Sequence, residues 1–278
     1  MSLSRCTTCI FALLLPTGAF AQGFVLGAGI EGDSAEGNAM AAFGDFSLGE
    51  RTWLSVAATR AETQGIITDN ETRLYDAGLD FFFDPVGVRI GGSYWGNPDI
   101  LDSRDLSAAL YFRGKPGSIA VEYERRNFEF DLQSDQLQGR TARFSADGWG
   151  LTGRLSLGER VNLYAGGMAY EYSRNLRIQP DIDVLAFISR SRLSMINNLL
   201  DHRFNAGVEF RFGLQSIDVS AGNWQAAIDG TEVDSFSVGF LTPIADRIDV
   251  EVRFSNDDSE IFGDTQALSV YFYYFGGS

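Results

Sequence analysis

The chain has 278 residues, with 31 glycines, 6 prolines and 13% aromatic side chains, a composition too apolar and aromatic for a disordered polymer. Its 37 acidic against 22 basic residues give a net charge of −15, which repels phosphate backbones and excludes a nucleic-acid partner. The length allows two average domains or one large all-β domain.

The first 21 residues read as a leader. Arg5 supplies a positive start, Cys9 to Leu15 an apolar run, and Pro16 and Gly18 break that run. Ala19-Phe20-Ala21 then offers the small-x-small pattern of a signal-peptidase site, with cleavage before Gln22. The apolar run is too short to span a bilayer. Both cysteines, Cys6 and Cys9, fall inside this segment, so their C-x-x-C spacing leaves with it. The expected mature domain is 22–278, without cysteine, and with a charge of −16 once Arg5 is gone. No lipoprotein cysteine follows the apolar run.

Beyond Gln22 the dominant period is two. Fourteen alternating segments fall near 23–32, 38–48, 51–60, 72–83, 86–95, 103–113, 118–130, 143–157, 160–174, 203–213, 214–226, 232–241, 246–256 and 265–275. In 246–256, for example, Asp249, Glu251 and Arg253 alternate with Ile248, Val250, Val252 and Phe254. One face is apolar and the other polar or charged. The links alternate too. Short ones such as Asp84-Pro85 and Gly213-Leu214 take turns with longer polar ones such as Ala61–Glu71 and Asp131–Arg143, with Ala226–Thr231 the one exception. A soluble sandwich also alternates along its strands, but it has no need for links of alternating length. A closed transmembrane up-and-down antiparallel β-barrel accounts for both features, with apolar side chains toward lipid, polar ones toward the lumen, and short turns at the periplasmic end. The expected fold is such an all-β barrel of about fourteen strands, twelve to sixteen depending on how 118–157 and 175–202 are divided.

Aromatic residues near strand ends fit the headgroup girdles of such barrels: Phe81-Phe82-Phe83 beside a short turn, and Tyr94-Trp95, Tyr170 and Tyr172 near the long links. Trp149 begins an apolar ladder with Leu151, Leu155 and Leu157. The last segment, Ala267-Leu268-Ser269-Val270-Tyr271-Phe272-Tyr273-Tyr274-Phe275, resembles the aromatic C-terminal strand of bacterial outer-membrane β-barrel proteins, the porin-like superfamily. The resemblance implies insertion into outer-membrane lipid through the barrel-assembly machinery, which reads that strand. It is architectural and points to no single family. Phe275 is followed here by Gly276-Gly277-Ser278, whereas the family usually ends on the aromatic. Both faces of this strand are apolar, so alternation alone leaves its lipid side open.

The polar faces give a lumen and selectivity set: Asp76, Asp80, Asp105, Glu122, Glu124, Glu209, Asp218, Asp249 and Glu251, facing Arg89, Arg113, Arg126, Arg211 and Arg253. Charges on an inner wall require water or partners, and about fourteen strands enclose more space than side chains fill. Excess carboxylate favours cations. The long link 175–202 carries Val184, Phe187, Leu193 and Ile196 with Arg190 and Arg192 between two apolar patches, too much apolar surface for an exposed loop. The expectation is that it folds into or over the barrel mouth as a short helix and forms a constriction or lid; the rival readings are a fifteenth and sixteenth strand or an outward contact site.

Catalysis is not expected. His202 is the lone histidine, beside Asp201 and eight residues after Ser194, and matches no lipase or protease barrel motif. There is no phosphate-binding loop, H-E-x-x-H or cysteine metal site. The acidic stretches Asn256–Glu260 and Asp99–Asp105 lack the spacing of a calcium loop and read as solvated loop charge. No cofactor and no metal follow. The leading expectation is a porin-like outer-membrane channel for passive diffusion of small hydrophilic solutes, cations among them. The alternative is a closed structural barrel whose surface loops bind a partner, and a lipid-modifying enzyme comes third.

Overall fold

The computed structural model describes residues 23–63, 70–97, 101–132, 140–174, 199–227, 230–259 and 263–277. Fourteen strands follow in chain order: β1 (Phe24–Asp33), β2 (Asn38–Gly49), β3 (Thr52–Thr63), β4 (Asn70–Phe83), β5 (Val86–Asn97), β6 (Leu101–Gly114), β7 (Gly117–Leu132), β8 (Arg140–Leu157), β9 (Val161–Tyr172), β10 (Leu200–Phe212), β11 (Gln215–Ala226), β12 (Glu232–Ala245), β13 (Ile248–Ser259) and β14 (Gly263–Gly276). Each pairs antiparallel with its chain neighbours, and β1 pairs with β14 to close the barrel. Closure leaves no unpaired edge. Because β9 pairs directly with β10, the long link adds no strand pair to the wall. Val184, Phe187, Arg190, Arg192, Leu193 and Ile196 lie outside the described residues, as do Ser194 and the whole leader.

The short links are tight hairpins at one end. Phe212 pairs with Gln215 across Gly213-Leu214, and Gly213 takes a φ of +68°, a conformation only glycine adopts freely. Gly158 does the same at +73° between β8 and β9.

Alternation along these paired strands sorts side chains into two faces. The outer face is an apolar belt that includes Leu106 at 65% exposure, Trp149 at 63% and Ile30 at 62%. So large an exposed apolar area is the surface of a barrel set in lipid. On β14 the outward set is Leu268, Val270, Phe272 and Tyr274, in register with Gly32, Ile30, Ala28 and Leu26 of β1. Ser269, Tyr271 and Tyr273 point inward, where the Tyr273 hydroxyl donates to Glu251 at 2.8 Å.

Two expectations need correcting. Of the aromatics read as girdle, Tyr94 faces out and stacks on Tyr75, with ring centroids 6.3 Å apart, and Trp149 packs on Tyr123 at 4.9 Å. Trp95, Tyr170, Tyr172 and Phe82 instead occupy the inner face. Adjacent residues on a strand point to opposite sides, so Tyr94 and Trp95 could not share one. The acidic stretches are not free loops either. Asp102 to Asp105 belong to β6, and β13 runs on to Ser259 with Asp257 buried on its inner face.

Candidate functional site

The interior of the barrel is the candidate site. Strand register puts Asp76, Asp80, Arg89, Asp105, Arg113, Glu122, Glu124, Arg126, Glu209, Arg211, Asp218, Asp249, Glu251 and Arg253 all on the inner face. Arg154, Arg203, Asp45, Glu31 and Asp257 join them there. Arg154 could have been found from the Trp149-to-Leu157 ladder, because its parity is opposite to that ladder.

Most of these charges meet in clusters. Near the short-turn end, Arg89 donates to Asp80 at 3.2 Å, which also accepts from the Tyr111 hydroxyl, while Arg113 lies over the rings of Phe82 and Tyr111 at 5.0 and 5.5 Å. Across the wall, Arg154 and Arg211 converge on Glu209, which also accepts from Asn162 at 3.1 Å. Arg253 pairs with Asp218 at 2.9 Å and Glu251 at 2.7 Å. Higher up, Arg126 is fully buried between Asp105 at 3.3 Å and Glu124 at 3.6 Å, and its guanidinium sits 5.3 Å over the Phe128 ring. Charges so withdrawn from water have to be matched, because an unpaired partner would cost several kcal/mol.

Three of these clusters share a local device. A tyrosine lies flat across a glycine on the next strand and reaches a carboxylate one strand further on. Tyr164 of β9 crosses Gly207 to donate to Asp218 at 2.8 Å, and Tyr170 of β9 crosses Gly148 to donate to Glu124 at 2.7 Å. Tyr111 of β6 crosses Gly87 to reach Asp80, and a Cβ on Gly87 would lie 2.0 Å from the phenol ring. The missing side chain makes the ring's bed.

The arginines are unevenly placed. They occupy the inner faces of β5–β8, β10 and β13, whereas among the described residues those of β1–β4 hold none. That wall carries Glu31, Asp45, Asp76 and Asp80 among small residues such as Ala41, Ser55, Ala57 and Gly78. Among the described residues Asp45, Asp76 and Asp249 form no ion pair, and each is half-buried. At the long-loop end the interior turns apolar. Trp95, Leu101, Phe128, Phe130, Met168 and Leu200 pack together there, with Tyr172 against them donating to the Leu200 carbonyl at 2.7 Å.

His202 is elsewhere. It pairs with Ala169 and Gln225 on the outer face, its Nδ1 3.3 Å from Asp201 Oδ2.

No family model and no curated protein matches this sequence. Solved structures do match in shape. The CymD monoaromatic hydrocarbon channel superposes with a TM-score of 0.57 at 12% identity, over 93% of this chain and 89% of that one. A Pseudomonas aeruginosa FadL homologue gives 0.51 at 11% identity over 92% and 90%. The Acinetobacter baumannii outer membrane protein Omp33 gives 0.50 at 11% over 92% and 98%. With the closed fourteen-strand wall and its apolar belt, this likeness gives the chain the fold of a bacterial outer-membrane β-barrel.

Proposed function

We propose that the protein is a porin-like channel of the outer membrane, exported by a leader cleaved before Gln22 and assembled through its aromatic last strand. Small hydrophilic solutes cross it by diffusion, and cations are favoured. The observation that carries the preference is the distribution of charge on the inner wall. Arg89, Arg113, Arg126, Arg154, Arg211 and Arg253 are held in ion pairs or over aromatic rings, whereas among the described residues Asp45, Asp76 and Asp249 form no ion pair. Uncompensated carboxylates facing a water-filled passage raise the local cation concentration and repel anions. No catalytic step is assigned to the barrel.

The test is the reversal potential of the refolded barrel in a planar bilayer under a KCl gradient, for the parent chain and for Asp45→Asn/Asp76→Asn. The parent should favour K+ and the double variant should lose much of that preference at similar conductance. A parent barrel that favours chloride, or a variant with unchanged selectivity, contradicts this reading.

The buried apolar cluster at the long-loop end favours a second reading, a closed barrel that acts through its surface. Correctly folded barrel that never conducts would support it.

A further inference from the structure

The outer wall carries a polar panel directly above the lipid belt, on the long-link side of β6 to β9. One row crosses it in direct register: Arg104 of β6, Asn127 of β7 and Ser145 of β8. Ser173, just past β9, continues the row, its backbone nitrogen donating to the Ser145 carbonyl at 2.8 Å. Parity along the strands puts these positions on the same side as Leu106, Tyr123 and Trp149 of the belt. A groove of about 410 Å3 lies over the row. Beneath it the Tyr123 ring packs on Trp149, and the Tyr123 hydroxyl donates to Asp147 at 2.6 Å. That is how an amphipathic ring sits at headgroup depth, and Asn127 stands four residues further along, about 13 Å at the usual strand rise.

Charge in the groove is balanced. Asp102, Arg104, Glu129 and Arg143 line it, two of each sign, so a plain ion meets as much repulsion as attraction. Arg143 already donates to Glu129 at 2.9 Å, and Arg125 pairs with Asp147 at 3.1 Å on the belt side of the row. What the row still offers is hydrogen bonding. Asn127 Nδ2 donates to the Arg104 carbonyl at 3.2 Å, which leaves the amide oxygen to accept. Ser173 Oγ accepts from the Ser145 nitrogen at 2.9 Å and keeps its own hydrogen to donate. The Arg104 guanidinium is exposed and forms no ion pair among the described residues.

We propose that this panel docks the saccharide headgroup of an outer-leaflet glycolipid whose acyl chains lie on the belt below. Short turns at the periplasmic end put the panel at the outer leaflet. Sugar hydroxyls donate and accept at once, which matches a charge-balanced row of guanidinium, amide and hydroxyls. The groove volume is in the range of small-molecule sites. Continuity with the belt decides for a lipid over a free sugar. Leu106 is exposed on the same face two residues from Arg104, so a chain packed against it delivers its headgroup into the groove. The inference concerns the outer wall alone and goes beyond the channel reading.

Digalactosyldiacylglycerol is the probe, compared with phosphatidylglycerol, which has the chains without the saccharide, and with lactose, a disaccharide without chains. Native mass spectrometry of the refolded barrel in lauryldimethylamine oxide, a detergent with no sugar, counts bound molecules across a titration. Folding is checked by the heat-dependent shift on electrophoresis. The glycolipid should bind about tenfold more tightly than phosphatidylglycerol, the effect of two or three added hydrogen bonds, and lactose should bind most weakly. Asn127→Ala/Ser145→Ala should bring the glycolipid down to the level of phosphatidylglycerol. Asn223→Ala, on the outer face of β11, should leave the preference intact. Equal affinity for the two lipids in the parent barrel overturns the inference without recourse to any variant, as does a preference that survives the double variant. Lactose bound as tightly as the glycolipid also overturns it, in favour of a soluble saccharide. A barrel that shows the glycolipid preference yet never conducts supports this site and contradicts only the channel reading.

Discussion

At the residue scale, the inner wall depends on absent side chains as much as on present ones. Gly87 gives the Tyr111 ring a flat place to lie, and only from there does the hydroxyl reach Asp80 two strands away. That hydroxyl and Arg89 together satisfy the carboxylate. Gly87→Val would put a branched side chain where the ring is. The ring must then swing into the lumen, and Asp80 loses its phenol donor. Overpacking of this kind costs about 1–3 kcal/mol, so the urea midpoint of the folded barrel should fall accordingly. Gly91→Ala is a weaker perturbation, because the nearest atom to its Cβ is the movable Ser107 Oγ at 2.8 Å. Equal midpoints for the parent and Gly87→Val would show that the tyrosine has another resting place.

At the scale of the strand, facing decides the cost of a charge. Leu151 and Thr152 are neighbours on β8, the first in the lipid belt at 54% exposure and the second inward, donating to Glu122 at 3.0 Å. Leu151→Arg should destabilise the barrel by about 2–4 kcal/mol in lipid, the usual cost near the midplane. Thr152→Arg meets water and Glu122 and should cost far less. Comparable unfolding midpoints for the two variants would contradict the assigned faces. These faces were legible in the sequence because a period of two survives wherever lipid and water lie on opposite sides of one strand. Strand ends were less legible. β7 and β8 run past the belt, where outward positions carry Arg125 with Asp147 at 3.1 Å and Arg143 with Glu129 at 2.9 Å. The ladder continues there while the apolar alternation stops, so the sequence suggested shorter strands and longer loops. The side of β14 that meets lipid was hidden for the opposite reason, since Phe272 and Tyr273 are both aromatic and only register with β1 and β13 separates them. The tyrosine–carboxylate contacts were equally hidden, because Tyr164 and Asp218 are 54 positions apart and meet only across an intervening strand.

For the whole molecule, net charge and its placement point to the same behaviour. A chain of −15 with a single lysine commits most of its inner arginines to clusters, and among the described residues leaves inner-wall carboxylates such as Asp45, Asp76 and Asp249 without an ion pair. Substituted-cysteine labelling tests this most directly, because both native cysteines, Cys6 and Cys9, fall in the proposed leader. Ser55 faces the lumen opposite Asp45 on β2 and Gly78 on β4. Ser55→Cys in the refolded mature barrel would be reacted with a trimethylammonium methanethiosulfonate and with its sulfonate counterpart. An open acidic lumen predicts modification by both, the cationic reagent faster by about tenfold. Failure of both reagents to react, or faster reaction with the anionic one, would contradict it.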